Sequence, residues 1–425
     1  GYRLEYGADA RGLLGHGHFP IAKIGGGGGL VAVFWLVHFE ARIVAMSREP
    51  AYRILILGGY GHFGGRIAHG LANRGDCHLL VAGRDGGRAQ QAAAKLLDEG
   101  AAAAVEGIAV DAARPDLADV IRGLRANLAI HTAGPFQGQS YDVARACIGA
   151  GAHYVDLADG RDFVAGISSL DAAARERGVL VVSGASTLPA LSSAVVDHYR
   201  RRFATVASIR ISIVPGNRMP RGLSTVAGVL SYCGKPFKRW QHGAWQQVHG
   251  WQDLHRVSYP QIGRRLLASC DVPDLALFPQ RYGVTDTVVF HAGLELASMQ
   301  LSLWVMSWLT RLGIVRSWVP AAGFLKAAGD KLMNFGTDAG GMHVEIAGSD
   351  ANGRSRRVFW LLTAFKGHGP EIPCVAAIVL ARKLASGQIA ARGAQPCMGL
   401  MTLEDFSEAV ADREISWEEK TTSSS

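Results

Sequence analysis

From Arg53 onward, short runs of Val, Ile and Leu alternate with stretches whose apolar positions recur at helical spacing. Strand-like runs occupy 53–58, 78–82, 106–111, 127–132, 153–157 and 178–183, with helical patterns between them at 62–74, 86–99, 115–125, 139–150 and 161–177. Strands this uniformly apolar are covered on both faces, as in a parallel sheet. The alternation predicts a doubly wound α/β sheet of Rossmann type with right-handed crossovers and strand order 3-2-1-4-5-6. A ligand would lie outside the carboxyl ends, where strands one and four part.

The pattern changes near residue 204. Strands expected at 205–214, 287–295, 342–348 and 355–364 are separated by loops, hairpin turns and one long apolar segment. The runs Gly341–Ala347 and Arg357–Thr363 flank the polar turn Ser349–Gly353, which predicts an antiparallel hairpin. Residues 372–384 read as a helix closed by Gly387 and returning to the first domain. The chain then divides into an extension at 1–45, ahead of Met46, and a nucleotide-binding Rossmann domain at 46–204. A mixed α+β substrate or dimerisation domain with antiparallel strands follows at 205–370, and a returning helix with a polar tail at 371–425.

Between the first strand and the first helix the glycines are spaced Gly59-x-Gly61-x-x-Gly64. The first suits a tight turn, the second leaves bare backbone for a pyrophosphate, and the third lets helix and strand pack closely. The helix start aims unpaired N–H groups and the positive dipole end at phosphates. Gly59, Tyr60, Gly61, His62, Phe63 and Gly64 are therefore candidate cofactor contacts.

The second strand ends in Gly83-Arg84-Asp85. Arg84 can stack on adenine and bond a 2′-phosphate, while Asp85 suits the N-cap of the next helix, so NADP is expected in preference to NAD. Asp111, ending the third strand, suits either the adenine edge or a cap for the helix near Pro115. After the fourth strand, Ala133, Gly134 and Pro135 would face the nicotinamide half of the cleft. Asp156, Tyr141 and His131 are the candidate acid–base groups, with structural support as the competing role for His131 and Asp156. Phe136, Asp159, Ser186 and Thr187 are the candidate substrate contacts.

Gly58-Gly-Tyr-Gly-His-Phe-Gly64, Ala82-Gly-Arg84, Thr132-Ala-Gly-Pro-Phe136 and Cys147-Ile-Gly-Ala-Gly-Ala-His-Tyr-Val-Asp-Leu157 together resemble the NADP-binding domain of saccharopine dehydrogenase-like oxidoreductases, over roughly residues 52–200. The resemblance implies nicotinamide chemistry between a Rossmann domain and a mixed substrate domain. It also implies reduction of imines formed from an amino acid and a carbonyl, or the reverse, with lipid-type substrates among distant relatives. The second half lacks a recognisable set of substrate-gripping arginines, so lysine metabolism does not carry over. A short-chain dehydrogenase would need Tyr-x-x-x-Lys, and no tyrosine has lysine four residues on. A nucleotide-binding sensor without catalysis and a membrane-surface reductase are the competing functions.

Composition adds limits. At 425 residues, 48% of them hydrophobic and 19% charged, the chain can bury a full core. The net charge of +8 comes from scattered basic residues, which argues against nucleic acid as partner and for a small-molecule substrate. Six dispersed cysteines form no CxxC, and no HExxH occurs, so neither a disulfide framework nor a metal site is expected; a reducing, cytoplasmic setting fits. Leu30–Val37 is too short to span a bilayer, leaving a weak anchor as its alternative role. The apolar stretch 299–328 is expected to be a buried helix or homodimer interface, with a greasy tunnel or peripheral membrane contact as the alternatives.

Overall fold

In the computed structural model, the structure describes residues 52–424. The extension expected at 1–45, with its apolar stretch, lies outside the described residues. The first half alternates as its hydrophobic pattern requires: β1 (Tyr52–Leu57), α1 (Gly64–Leu71), β2 (Cys77–Gly83), α2 (Gly86–Asp98), β3 (Ala104–Ala109), α3 (Leu117–Gly123), β4 (Leu128–His131), α4 (Asp142–Ala150), β5 (His153–Asp156), α5 (Arg161–Gly166), α6 (Asp171–Glu176), β6 (Leu180–Ser183) and α7 (Ser192–Arg200). β1 runs parallel to β2 and β4, pairing Ile54 with Leu79 on one side and Leu128 on the other. The order across the sheet is 3-2-1-4-5-6, as expected, and a seventh strand described below extends it beyond β6. Ile54, Leu55, Ile56, Leu79 and Leu80 are wholly buried because helices cover both faces.

The second half contains β7 (Thr205–Val214), α8 (Leu223–Ser231), β8 (Pro236–Gln241), β9 (Ala244–His249), β10 (His255–Tyr259), β11 (Gly263–Ser269), α9 (Asp274–Tyr282), β12 (Thr287–Ala292), α10 (Ala297–Arg311), α11 (Ala322–Lys331), β13 (Gly340–Ser349) and β14 (Ser355–Ala364). They build a nine-stranded mixed sheet in which β7 pairs parallel with β12 and antiparallel with β13. The 340–364 hairpin forms as its alternating pattern predicts. β8 to β11 are additions that the hydrophobic pattern does not reveal. Runs such as Phe237-Lys-Arg-Trp-Gln241 carry too many charges, and the hairpin is instead fixed by His242 and Gly243, both at positive φ (54° and 70°).

The last part returns to both sheets. α12 (Ile372–Ala385) is buried on almost every side and packs on α1, where a Cβ on Gly70 would stand 2.5 Å from Ile378 Cδ1. β15 (Gly393–Pro396) joins the first sheet beside β6. After α13 (Leu403–Ala409), residues expected as a polar tail form β16 (Ile415–Ser424), which pairs along the whole of β14. Its charges and threonines suit a sheet edge, and Trp417 anchors it against Trp360 and Phe406.

The two sheets belong to one compact unit. Arg161, opening α5, reaches across to Asp271 at 2.8 Å and donates to the Lys238 carbonyl. Burial pushes the Asp271 carboxyl up to about 6 even beside that guanidinium, so the pair contributes orientation more than net stability. All six cysteines are free and buried. Among the described residues, no helix is long and apolar enough to cross a membrane.

Trp360 is fully buried where β14 meets the terminal strand. Trp360→Ala is expected to cost about 3–5 kcal/mol in urea denaturation, because the cavity beneath β16 cannot collapse.

Candidate functional site

The site begins at the turn after β1. Gly58 takes φ +82°, so the left-handed conformation falls one residue earlier than the glycine spacing suggests. Gly58 and Gly59 both donate to the Ala82 carbonyl, and Gly61 N–H donates to the Gly58 carbonyl at 2.8 Å. A Cβ on Gly64 would lie 2.2 Å from that same carbonyl oxygen, so only glycine lets α1 start this close to the turn. The N–H groups of Tyr60, His62 and Phe63 have no acceptor among the described residues and remain available to an anion.

This turn floors a groove of about 1380 Å³, large enough for a dinucleotide. Tyr60, Gly61, His62, Phe63, Arg84, Asp111, Ala133 and Gly134 all line it, and the sequence had pointed to each. Pro135 is not in the lining; it follows Gly134 through a cis peptide bond. Asp111 caps its own turn, accepting from Ala113 N–H at 3.0 Å, rather than the helix beyond Pro115. Asp85 accepts from Arg88 N–H and so caps α2.

The sequence reading missed Arg88. It lies three residues after that cap, lines the groove with Arg84, and stacks over the Tyr60 ring at 4.6 Å. Tyr60 in turn lies flat against Gly83, where a Cβ would meet the ring at 2.3 Å, and its hydroxyl accepts from Asp85 N–H. The signal was available: an arginine at the third position of the helix after the β2 tip points back toward that tip.

The opposite rim comes from the second half of the chain. Gly222, Leu223, Ser224 and Thr225 at the start of α8 line the groove, and Ser224 Oγ donates to the Gly134 carbonyl at 3.0 Å. No sequence pattern marked these residues, because the contact joins elements ninety residues apart.

The acid–base candidates are held in three different ways. His131 belongs to the groove lining but is only 2% exposed; its Nδ1 lies 3.2 Å from the Tyr154 hydroxyl, and burial lowers its pKa to about 4, so the ring is neutral. Tyr141 spends its hydroxyl on the Phe163 carbonyl at 2.7 Å. Asp156 is wholly enclosed: one oxygen accepts from Ala158 N–H, Ser183 Oγ and Gly184 N–H, tying the ends of β5 and β6 together. Burial nonetheless holds its pKa up at about 6. Phe136, expected against substrate, is buried with Ala158, Phe163 and Val164. Ser186 and Thr187 are half-buried beyond β6 and outside the groove lining.

Asp159 differs from these. It is reached by solvent, yet surrounding protein raises its carboxyl pKa, and Gln137 Nε2 donates to it at 3.0 Å. Gln137 sits in the loop that contributes Gly134 and Gln139 to the groove, and it touches Gly228 of α8. Asp159 is thus a solvent-accessible carboxylate held beside the loop that lines the groove. Among the described residues, no cluster of His, Cys, Asp and Glu could hold a metal ion.

Residues 54–201 match the family described as the saccharopine dehydrogenase NADP binding domain. The fold resembles apo saccharopine dehydrogenase (L-Glu forming) from Saccharomyces cerevisiae, at 14% identity and TM-score 0.63, covering 88% of this chain and 100% of that one. An amine dehydrogenase from Mycobacterium smegmatis superposes more loosely, at 11% identity and TM-score 0.42, covering 82% and 96%. No curated protein sequence matches the chain. The matched domain is that of a nicotinamide-dependent oxidoreductase family, and the glycine cradle fits such a cofactor.

The enclosed Asp156 predicts a pH signature. Its folded pKa of about 6 exceeds the usual 3.8, so the folded state holds the extra proton between those values and stability falls as pH rises through them. Asp156→Asn is expected to remove this decline, on the order of 3 kcal/mol, in urea titrations from pH 4 to pH 7. An unchanged slope would show the carboxyl ionises freely in the fold.

Proposed function

We propose that this chain, whose residues 54–201 match the saccharopine dehydrogenase NADP binding domain family, is an NADP-dependent oxidoreductase transferring hydride to or from an imine or carbonyl carbon of a small molecule. The observation that carries the cofactor choice is the pair Arg84 and Arg88 on one groove wall, with Tyr60 beneath Arg88. The only carboxylate at that strand tip, Asp85, is spent capping α2. Two guanidinium groups, with Asp111 in the same groove accepting from Ala113 N–H in its own turn, favour a 2′-phosphate over a bare ribose hydroxyl.

When bound, a reduced nicotinamide supplies the hydride. The chain's own residues do the rest. The bare turn at Gly58–Gly64 presents N–H groups to the diphosphate, and the start of α8 closes over the groove through Ser224. Asp159 is the group that holds or accepts the proton the product requires: it is accessible, its pKa is raised, and Gln137 fixes the direction of its carboxylate. Tyr141 and Asp156 support this arrangement from within the fold, while the neutral, almost wholly buried His131 contributes to the groove lining.

Replacing both arginines, Arg84→Ala with Arg88→Ala, is expected to weaken NADPH about 10- to 100-fold in fluorescence titration while changing NADH little. Equal loss for both coenzymes would reject the NADP assignment. Asp159→Asn is expected to lower kcat about 10²- to 10⁴-fold on an imine or carbonyl substrate, with NADPH affinity retained. Full turnover in that variant would assign Asp159 to support alone.

A further inference from the structure

The stretch 299–328 carries a stripe that is not buried. In α10, Leu301, Val305, Trp308 and Leu312 follow one another at four-, three- and four-residue spacing and all face solvent. The fully buried positions of the same helix are Gln300, Ser307 and Thr310: Gln300 Oε1 accepts from Leu294 N–H, and the Ser307 and Thr310 hydroxyls donate to carbonyls of their own helix. Leu303 and Met306 pack on the core from the inner side, so the outward stripe is apolar surface beyond what the helix needs for its own packing. Ile314 (68% exposed), Phe324 (76%) and Phe335 (62%) extend the stripe past the helix end and onto α11. Large exposed apolar side chains concentrated on two neighbouring helices mark an interaction surface.

Its charges select the partner. From Ala297 to Phe335 there are four cations, Arg311, Arg316, Lys326 and Lys331, against one carboxylate, Asp330, which pairs with Lys326. Arg218 adds another beside Asn334. A second copy docked through a two-fold axis would bring these cations against themselves. An anionic lipid surface would instead neutralise them while accepting Trp, Leu and Phe at headgroup level. We propose that the face of α10 and α11 seats the protein on an anionic bilayer surface.

This seating would bear on the groove. α8 packs against α11 and the turn Val319–Ala321, and Leu223 at the start of α8 is exposed while lining the groove rim. Leu223 thus places an exposed apolar side chain at the groove rim, on a helix that packs against α11.

Flotation of the full chain with phosphatidylcholine vesicles, with and without phosphatidylglycerol, tests the proposal. The protein is expected to float with the anionic vesicles and to be released by high salt. The triple variant Leu312→Ser, Ile314→Ser, Phe324→Ser changes only exposed side chains, so its thermal midpoint and NADPH affinity should stay as in the parent. Its vesicle-bound fraction is expected to fall about tenfold. Arg316→Glu with Lys331→Glu should remove the preference for anionic lipid. Failure of the parent to float, or equal flotation of the triple variant, would overturn the proposal. So would light scattering that shows a stable dimer which the triple variant splits, since the face would then join two copies.

Discussion

The carbonyl oxygen of Gly58 leaves no room for a side chain at Gly64, and most of the site follows from that closeness. Because α1 begins so near the strand, its first N–H groups open into the groove instead of being covered by loop. The same approach sets the distance between the β1 turn and the β4 loop, where Thr132 Oγ1 donates to the carbonyls of Leu57 and Gly58. A second close approach, Tyr60 against Gly83, fixes the ring on which Arg88 stacks. The cleft is thus shaped by positions that lack a Cβ, and its chemistry is added by the side chains around them.

The first sheet was legible because its strands are buried on both faces and so carry an unbroken apolar signal. Strand order followed from crossover handedness, which is a property of the backbone rather than of particular residues. The second sheet was only half legible. β13 and β14 alternate cleanly, whereas β8 to β11 and β16 place Arg, Lys, Glu and Gln on exposed faces and look like loop or tail. Strands at edges carry charge to prevent further pairing, and that same charge hides them from a hydrophobicity pattern.

Within the site, the backbone contacts were legible and the side-chain roles largely were not. Glycine spacing reports where backbone must come close, which is a local matter. Asp156 and Asp159 lie three residues apart at one strand end, yet one is enclosed and accepts three hydrogen bonds while the other is open to solvent. Nothing in the local sequence distinguishes them, because the difference is made by Ser183 and Gly184 on the next strand. Ser224 was invisible for the same reason: it acquires its place only when the second sheet docks. The stretch 299–328 was correctly singled out for its apolarity, but hydrophobicity alone could not show that the helix turns that side outward.

The complete burial of the six thiols has a practical consequence. Loss of hydration pushes Cys77 up to about 11 and Cys147 and Cys233 up to about 12, so almost no thiolate exists near neutrality. Alkylating reagents and mild oxidants therefore find no nucleophile in the intact molecule. Cys147 lies within the first sheet's core and Cys233 beneath the second, so the order in which a maleimide captures them would time the opening of each half separately.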